Sequence, residues 1–437
     1  MKMIQDEAKI GLFENLYFFM IVIYTAMAIP FTKCMMAYYK EPIGFAIPII
    51  MTSILLFRNK VNFNNRYFFS IIAIYTIWVI FQYAKYNHFT ITLTFFVYYN
   101  IVIAYIIIDI YKTKIFLLYE NIVTKLSVFA IIGWLLMVLV PGSFGHFIDL
   151  IKMPHSDSGL IQGNIIIFSM TNLDSTSEFE SFGLVRNTGF SWEPGRYASM
   201  LIIAIFFNMA RNQFQFQLNR NIGFWILTLA LLTTQSTTGF MSFSILIIWF
   251  LINKNISTKI LSLALIIPLA IFVYSLPFIG EKLNLLMDQE TTMSKVDSDL
   301  EIGEDDLTYV PQRFDGLSFE FLNIVSDPLL GYGNDEADSY TKRNISPFLG
   351  LSNGILKVFA RFGIILGCLF YFLLFRSSFW FSNFYNIKGG MVYMLLFLAI
   401  SISYDFTLIP FFLSIVFFSL FADRNLKYLE NETEILM

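Results

Sequence analysis

The stretch "IGFWILTLALLTTQSTTGFMSFSILIIWFL", residues 222–251, decides how this chain folds. Read as one helix it crosses a bilayer once; read as two, it returns to the side it left. Its centre, "TTQSTTG" (233–239), is too polar and too turn-prone for the middle of one apolar helix. We therefore read two short spans meeting there, and that choice sets the parity of every later span.

The rest of the chain has the same apolar character. Of 437 residues, 57% are apolar and 14% are charged, and the mean hydropathy is +0.64; a soluble domain carries about 25% charged residues. Apolar runs near the roughly 20 residues of a membrane-crossing helix recur throughout, which excludes a soluble enzyme on a single anchor. They are too uniformly apolar for the alternating strands of a transmembrane β-barrel. The expected fold class is an all-α polytopic membrane protein, a single integral membrane domain over residues 1–437, with the lipid bilayer as its first partner. No basic tract points to nucleic acid. Cys34 and Cys368 fall near the first span and deep within a late one, so neither a disulfide nor a metal site is expected from them. Residues 11–25 followed by Ala26-Met27-Ala28 resemble a signal peptide. The apolar run continues to Phe31 and the preceding residues are not net basic, so an uncleaved first helix is expected.

Apolar runs and their polar punctuation place about twelve spans, near 13–31, 43–57, 67–84, 90–109, 122–140, 197–210, 222–236, 238–252, 260–280, 350–375, 390–404 and 406–422. Cytoplasmic loops carry an excess of Lys and Arg. With twelve spans, Arg58, Lys60 and Arg66, Lys112 and Lys114, Arg211 and Arg220, Lys254 and Lys259, and Arg376 and Lys388 share one side with both termini. The short loops opposite hold only Lys33, Lys40 and Lys85. Both termini are therefore expected to be cytoplasmic.

Two long segments, 141–196 and 281–349, then lie on the outer face. Connections are usually about 4 to 6 residues long, and long loops tend to carry function. The second opens with nine Asp and Glu between residues 281 and 310, read as a solvated face, because "DSDLEIGEDD" (297–306) lacks the full spacing of a calcium loop. His88, His146 and His155 show no ligand spacing. No metal and no cofactor are expected.

Charges at the lip of spans need a reason, because a charged side chain at a helix centre costs about 2.5 to 3.5 kcal/mol even on the lenient insertion scale. Arg186, Glu193 and Arg196 approach the sixth span, Lys357 and Arg361 lie in the tenth, and Asp405 sits in the turn between the last two. In "LSNGILKVFARFGIILG" (351–367), Asn353, Lys357 and Arg361 are spaced by four and share one helix face. In a continuous helix Arg361 stands roughly 21 Å from Phe375, within the hydrocarbon core. Either both cations snorkel to lipid phosphates, or the stripe lines a water-accessible cavity that receives an anion. In "SWEPGRYASM" (191–200), Pro194 suits a helix start, Ser191 or Glu193 could cap it, and Glu193 and Arg196 could pair. Guanidinium groups bind phosphate oxygens bidentately and helix N-termini add N–H donors, so these cations suggest a phosphorylated ligand.

Four segments resemble the O-antigen polymerase (Wzy-type) and O-antigen ligase superfamily, membrane glycosyltransferases of the GT-C kind. They are "RNTGFSWEPGRYASM" (186–200), "LLTTQSTTGFMSF" (231–243), "RFDGLSFEFLNIVSDPLLGYGND" (313–335) and "LSNGILKVFARFGIILG" (351–367). The second lacks the Arg that often follows its Ser, and the fourth has Ser352 where ligases carry a His, a departure that favours polymerase over ligase. The resemblance implies transfer of a growing glycan from undecaprenyl pyrophosphate to another lipid-linked repeat unit, at the outer, periplasm-facing side of a bacterial plasma (inner) membrane. The lipid-linked oligosaccharide would be both donor and acceptor, with a chain-length regulator protein as a further partner. It carries Arg186 and Arg313 over as site residues. Arg196, Asn353, Lys357 and Arg361 are assigned to substrate binding from local geometry, and Glu193 is the expected base. Trp192, Tyr197, Phe314 and Tyr332 are candidates for stacking on sugar rings, with Tyr332 among the substrate-binding residues. Two other readings stay open: an O-antigen ligase, and a flippase for the same lipid-linked oligosaccharide, although no internal repeat of the transporter kind is visible.

Overall fold

The helix Ile222–Thr234 ends at Gln235, which turns left-handed at φ 48° and ψ 39°, and Ser236 then caps the helix Thr237–Ile252 by accepting the Gly239 N–H at 3.3 Å. The polar heptad is thus a joint between two helices, as its composition implies. The structure, a computed structural model, describes residues 10–26, 42–59, 61, 63–88, 90–151, 161–171, 180–181, 184–191, 193–253, 315–347, 349–351 and 353–422. The expected span 260–280, the acidic run 281–310, Arg313, Phe314 and Trp192 lie outside these residues. Helices occupy all the other expected spans, although residues 27–31 of the first also lie outside. Four helices are long and apolar enough to cross a membrane: Arg66–Tyr86, Ile91–Tyr111, Lys114–Leu139 and Gly354–Phe384. Shorter apolar helices accompany them.

At the centre lies the helix Pro194–Arg211, every residue of which except Arg211 is buried. A helix apolar on all sides suits either a protein core or lipid, and here protein covers it. It packs against Lys114–Leu139, Ile222–Thr234 and Thr237–Ile252, and Thr237–Ile252 in turn packs on Val392–Ser401. Aromatic contacts fill this core: Phe207 stacks on Phe116 with ring centres 4.8 Å apart, and Phe206 on Trp249 at 4.9 Å. The far end of the central helix is tied by polar groups, since Arg211 holds both oxygens of the buried Glu120, at 2.6 and 2.9 Å. Asn208 donates to the same carboxylate at 2.7 Å and exchanges amide hydrogen bonds with Asn221.

The segment 141–196 carries its own structure. The helix Pro141–Ile151 is followed by two antiparallel hairpins, Ile161–Asn164 with Ser169–Thr171 and Glu180–Ser181 with Leu184–Val185. Met137, Phe144, Ile148, Phe168 and Met170 form a small core beneath them.

One expectation is corrected. Residues 350–375 are not a straight span, because the helical run Gly354–Phe384 breaks at Gly363, which adopts φ 79° and ψ 170°. That backbone region is essentially restricted to glycine. The run folds back on itself: the Tyr371 hydroxyl donates to the Ile355 carbonyl at 2.8 Å, and Phe359 stacks on Tyr371 at 5.3 Å. In a continuous helix Ile355 and Tyr371 would be about 24 Å apart. A short helix from 354 to 362 therefore lies beside a second piece from 364 to 384, which at about 30 Å is still long enough to span alone. Arg361 stands two residues ahead of the break at Gly363, and its distance to Phe375 is not that of a continuous helix.

Candidate active site

The break at Gly363 frees backbone groups that a neighbouring strap takes up. The N–H groups of Tyr332 and Gly333 donate to the carbonyls of Ala360 and Arg361 at 2.9 and 3.0 Å, and the Ile364 N–H donates to the Pro328 carbonyl at 2.8 Å. This strap belongs to the "SDPLLGYGND" part of the third motif (326–335), so the third and fourth motifs are spliced through the main chain. Its other side is held by the helix Arg66–Tyr86. Trp78 and Gln82 donate to the Leu330 carbonyl at 3.0 and 2.7 Å, while Lys85 and Tyr86 bind the Asp327 carboxylate.

Beyond the strap the chain makes a one-turn helix, Glu336–Asp338, and the helix Tyr340–Asn344. This brings Glu336 onto three cations: its Oε1 lies 2.5 Å from Lys357 Nζ and 3.5 Å from Arg361, and its Oε2 lies 3.4 Å from Lys342. Arg361 also approaches Asp405 at 3.9 Å. The Lys357 and Arg361 side chains are only 10% and 13% exposed. They bind carboxylates inside the protein and do not snorkel. Beside them a cavity of about 10 Å³, room for one water molecule, is lined by Glu320, Tyr332, Glu336, Ser339 and Lys342 among others. Burial pushes the Glu320 carboxyl up to about 7, with Lys357 and an Asn323 hydrogen bond opposing. Burial also raises Glu336, but Lys357 and Arg361 outweigh it and hold that carboxyl at about 2.

These two carboxyls act in opposite directions on stability. Between the usual 4.5 and about 7, Glu320 binds more protons folded than unfolded, so its contribution is present at low pH and is lost as pH rises through that window. Glu336 stabilises above 4.5 and loses that contribution as pH falls toward about 2. Thermal melts across the Glu320 window should therefore show wild-type stability declining with rising pH by about 3 kcal/mol. Glu320→Gln should remove most of that decline; an unchanged slope would assign it to another group.

The other expected residues gather around the loop that follows the helix Val392–Ser401. Tyr404 donates a short hydrogen bond to Glu193, and the Arg196 guanidinium lies over the Tyr404 and Phe406 rings at 5.2 and 5.3 Å. Gly195 is required here, because a Cβ would collide with the Tyr404 hydroxyl. Glu193 occupies the N-cap position, but its side chain makes no capping bond, and Ser191 donates to the Ala26 carbonyl, so the expected side-chain cap is absent for both. The Thr238 and Ser403 hydroxyls pair at 2.7 Å, joining the second motif to the same loop. Arg186 Nε donates to the Thr234 carbonyl at 3.1 Å, clasping the first motif to the helix joint.

Asn353 caps the short helix, accepting from the N–H groups of Ile355 and Leu356 and donating to the Ile402 carbonyl. Its amide is thus engaged with backbone, whereas a ligand-binding role was expected. Tyr332 is 2% exposed and lines the cavity from within. Reading the sequence missed Glu320, Glu336, Lys342 and Tyr404. No local pattern shows which cation a carboxylate of a long connecting segment meets. Among the described residues no group of three or more His, Cys, Asp or Glu could hold a metal.

The fold is that of a helical protein with several helices apolar enough to cross a membrane, and it holds a buried cluster of cations and carboxylates beside the loop that follows Val392–Ser401. Residues 222–372, about a third of the chain, match the family model described as O-antigen ligase. The match takes in the second, third and fourth motifs and ends within the helical run that follows Gly363; the first motif lies ahead of it. A comparison with curated proteins gives no match.

Proposed function

We propose that this protein is a polysaccharide polymerase. It transfers a glycan from undecaprenyl pyrophosphate to the non-reducing end of another lipid-linked repeat unit, at the outer face of the bacterial plasma membrane. The observation that carries this reading is the convergence of Lys342, Lys357 and Arg361 on one site inside the family-matched region. A leaving pyrophosphate develops charge, and fixed cations in a site shielded from water stabilise such charge best. The acceptor hydroxyl attacks the anomeric carbon opposite the pyrophosphate and the glycosidic C–O bond forms. The bond to the pyrophosphate oxygen breaks with its electron pair, and the hydroxyl proton passes to a carboxylate. Inversion follows, and no metal is needed. Glu193, oriented by Tyr404, is the candidate base.

The ligase reading has the family description in its favour, and the acceptor tells the two apart. Purified protein in liposomes with synthetic lipid-linked repeat units should yield a ladder of lengthening glycans. Transfer to a lipid A core instead would indicate a ligase, and movement of the lipid between leaflets with no ladder would indicate a flippase. Glu193→Gln should slow elongation by about 10²- to 10⁴-fold, whereas undiminished elongation would leave Glu193 a positioning role only.

A further inference from the structure

We propose that Glu336 is an exchangeable counter-ion, a carboxylate that stands in for the anionic headgroup and must leave Lys342, Lys357 and Arg361 before a diphosphate binds there. The proposal deepens the polymerase reading, and rests on it only for the identity of the natural ligand. Its basis is geometric. The two oxygens of Glu336 together reach all three cations, which is what the oxygens of a phosphate group would do. With Glu336 in place, an added diphosphate would lie against a like charge and find its donors taken.

The exposures show which partner can move. The Glu336 side chain is 35% exposed, against 10% for Lys357 and 13% for Arg361. Both inner cations sit on the short helix held by the Gly363 hairpin and the strap. Glu336 sits on a one-turn helix with no buried residue, between Asp335, whose carboxylate accepts the Ala337 N–H, and Ser339. Rotation of its side chain releases the cations without disturbing the splice at Tyr332 and Gly333. Asp405 and Glu320 also face these cations. Asp405, 3.9 Å from Arg361, stands farther from its cation than Glu336 does from any of the three, so it holds the site less tightly than Glu336 does. The carboxylate therefore acts as a selectivity filter. A weakly charged ligand gains little by replacing it, whereas a diphosphate brings more charge and more oxygens than it displaces.

The test is titration of the purified full-length protein in detergent with inorganic pyrophosphate. Glu336→Gln, nearly isosteric, should bind it about tenfold more tightly than wild type, a size usual for couplings between sites. Equal or weaker binding overturns the proposal and makes Glu336 a residue that positions the cations. Adding Lys357→Met to Glu336→Gln should abolish the gain; a gain that persists puts the anion elsewhere and also overturns it. If the glutamine variant does not fold, Glu336→Asp, which withdraws the charge by one methylene, carries the test. Tighter binding than wild type then supports exchange, and equal or weaker binding refutes it. Elongation by wild type with no gain in Glu336→Gln sinks the counter-ion alone. A gain without elongation leaves the counter-ion standing and sinks the polymerase.

Discussion

Arg361→Ala should lower glycan elongation by about 10²- to 10³-fold, the usual loss when one preorganised donor to a developing oxyanion is removed. The expectation follows from position. Arg361 is 13% exposed, 3.5 Å from Glu336 and 3.9 Å from Asp405, so its charge is held inside the protein before any ligand arrives. Arg361→Lys should recover only part of the activity, because an ammonium keeps the charge and loses the planar fork that meets two oxygens at once. Elongation in liposomes, with thermal melts to confirm folding, measures both. Wild-type elongation in the alanine variant would mean that Arg361 only neutralises Glu336 and Asp405, and would remove it from the transfer site.

Gly363→Ala should be the most damaging single-methyl change in the described chain. At φ 79° and ψ 170° an L-residue is strained by about 1 to 3 kcal/mol. The added Cβ would also fall on the Leu329 carbonyl oxygen, in the strap spliced to the turn. Neither side can yield cheaply, because both are backbone. Stability should drop by about 3 kcal/mol or more, and elongation should fall with it, since Arg361 and the strap share this turn. Gly142→Ala is the control, because nothing lies within 4 Å of its added Cβ; it should melt like wild type. The hairpin has a direct readout as well. With Cys34 and Cys368 replaced by Ser, Phe359→Cys and Tyr371→Cys should be bridged by a short bifunctional thiol reagent. A continuous helix would hold those positions about 18 Å apart and leave them unbridged.

The prominence of Gly363 illustrates how local the legible part of this chain is. The polar heptad at 233–239 could be read as a joint because hydroxyls, Gln235 and Gly239 disfavour a continuous apolar helix wherever they occur. Pro194 could be read as a helix start for the same kind of reason. Gly363 lies in "ARFGIILG", where a glycine in a membrane helix is ordinary and the flanking residues are all compatible with helix. Its left-handed turn is stabilised by the strap from residues 328–333, about thirty residues earlier, and no window around Gly363 contains that partner.

The site divides along the same line. Glu193, Arg196, Lys357 and Arg361 stood out because a charge beside an apolar run is costly enough to need a reason. Asn353, chosen by its place on the same stripe, caps a helix end that the sequence did not reveal. Glu336 and Lys342 lie in polar sequence, where charge costs nothing in isolation, and Glu320 lies between Phe319 and Phe321 in the helix Asp315–Ser326, within a segment read only as an outer loop. Their importance arises only when the strap brings them onto buried cations.

Composition, hydrophobic run length and turn-forming residues by themselves determined that the chain is built mainly of apolar helices and that residues 222–251 make two of them. Those inferences follow from how each segment interacts with lipid and water, which is a property of the segment alone. Only the tertiary structure decided that the tenth apolar run is a hairpin, that Glu193 is held by Tyr404, and that Glu336 neutralises Lys342, Lys357 and Arg361. Each of these depends on a hydrogen bond or ion pair between residues distant in the chain, and such a contact exists only once packing has brought both partners together.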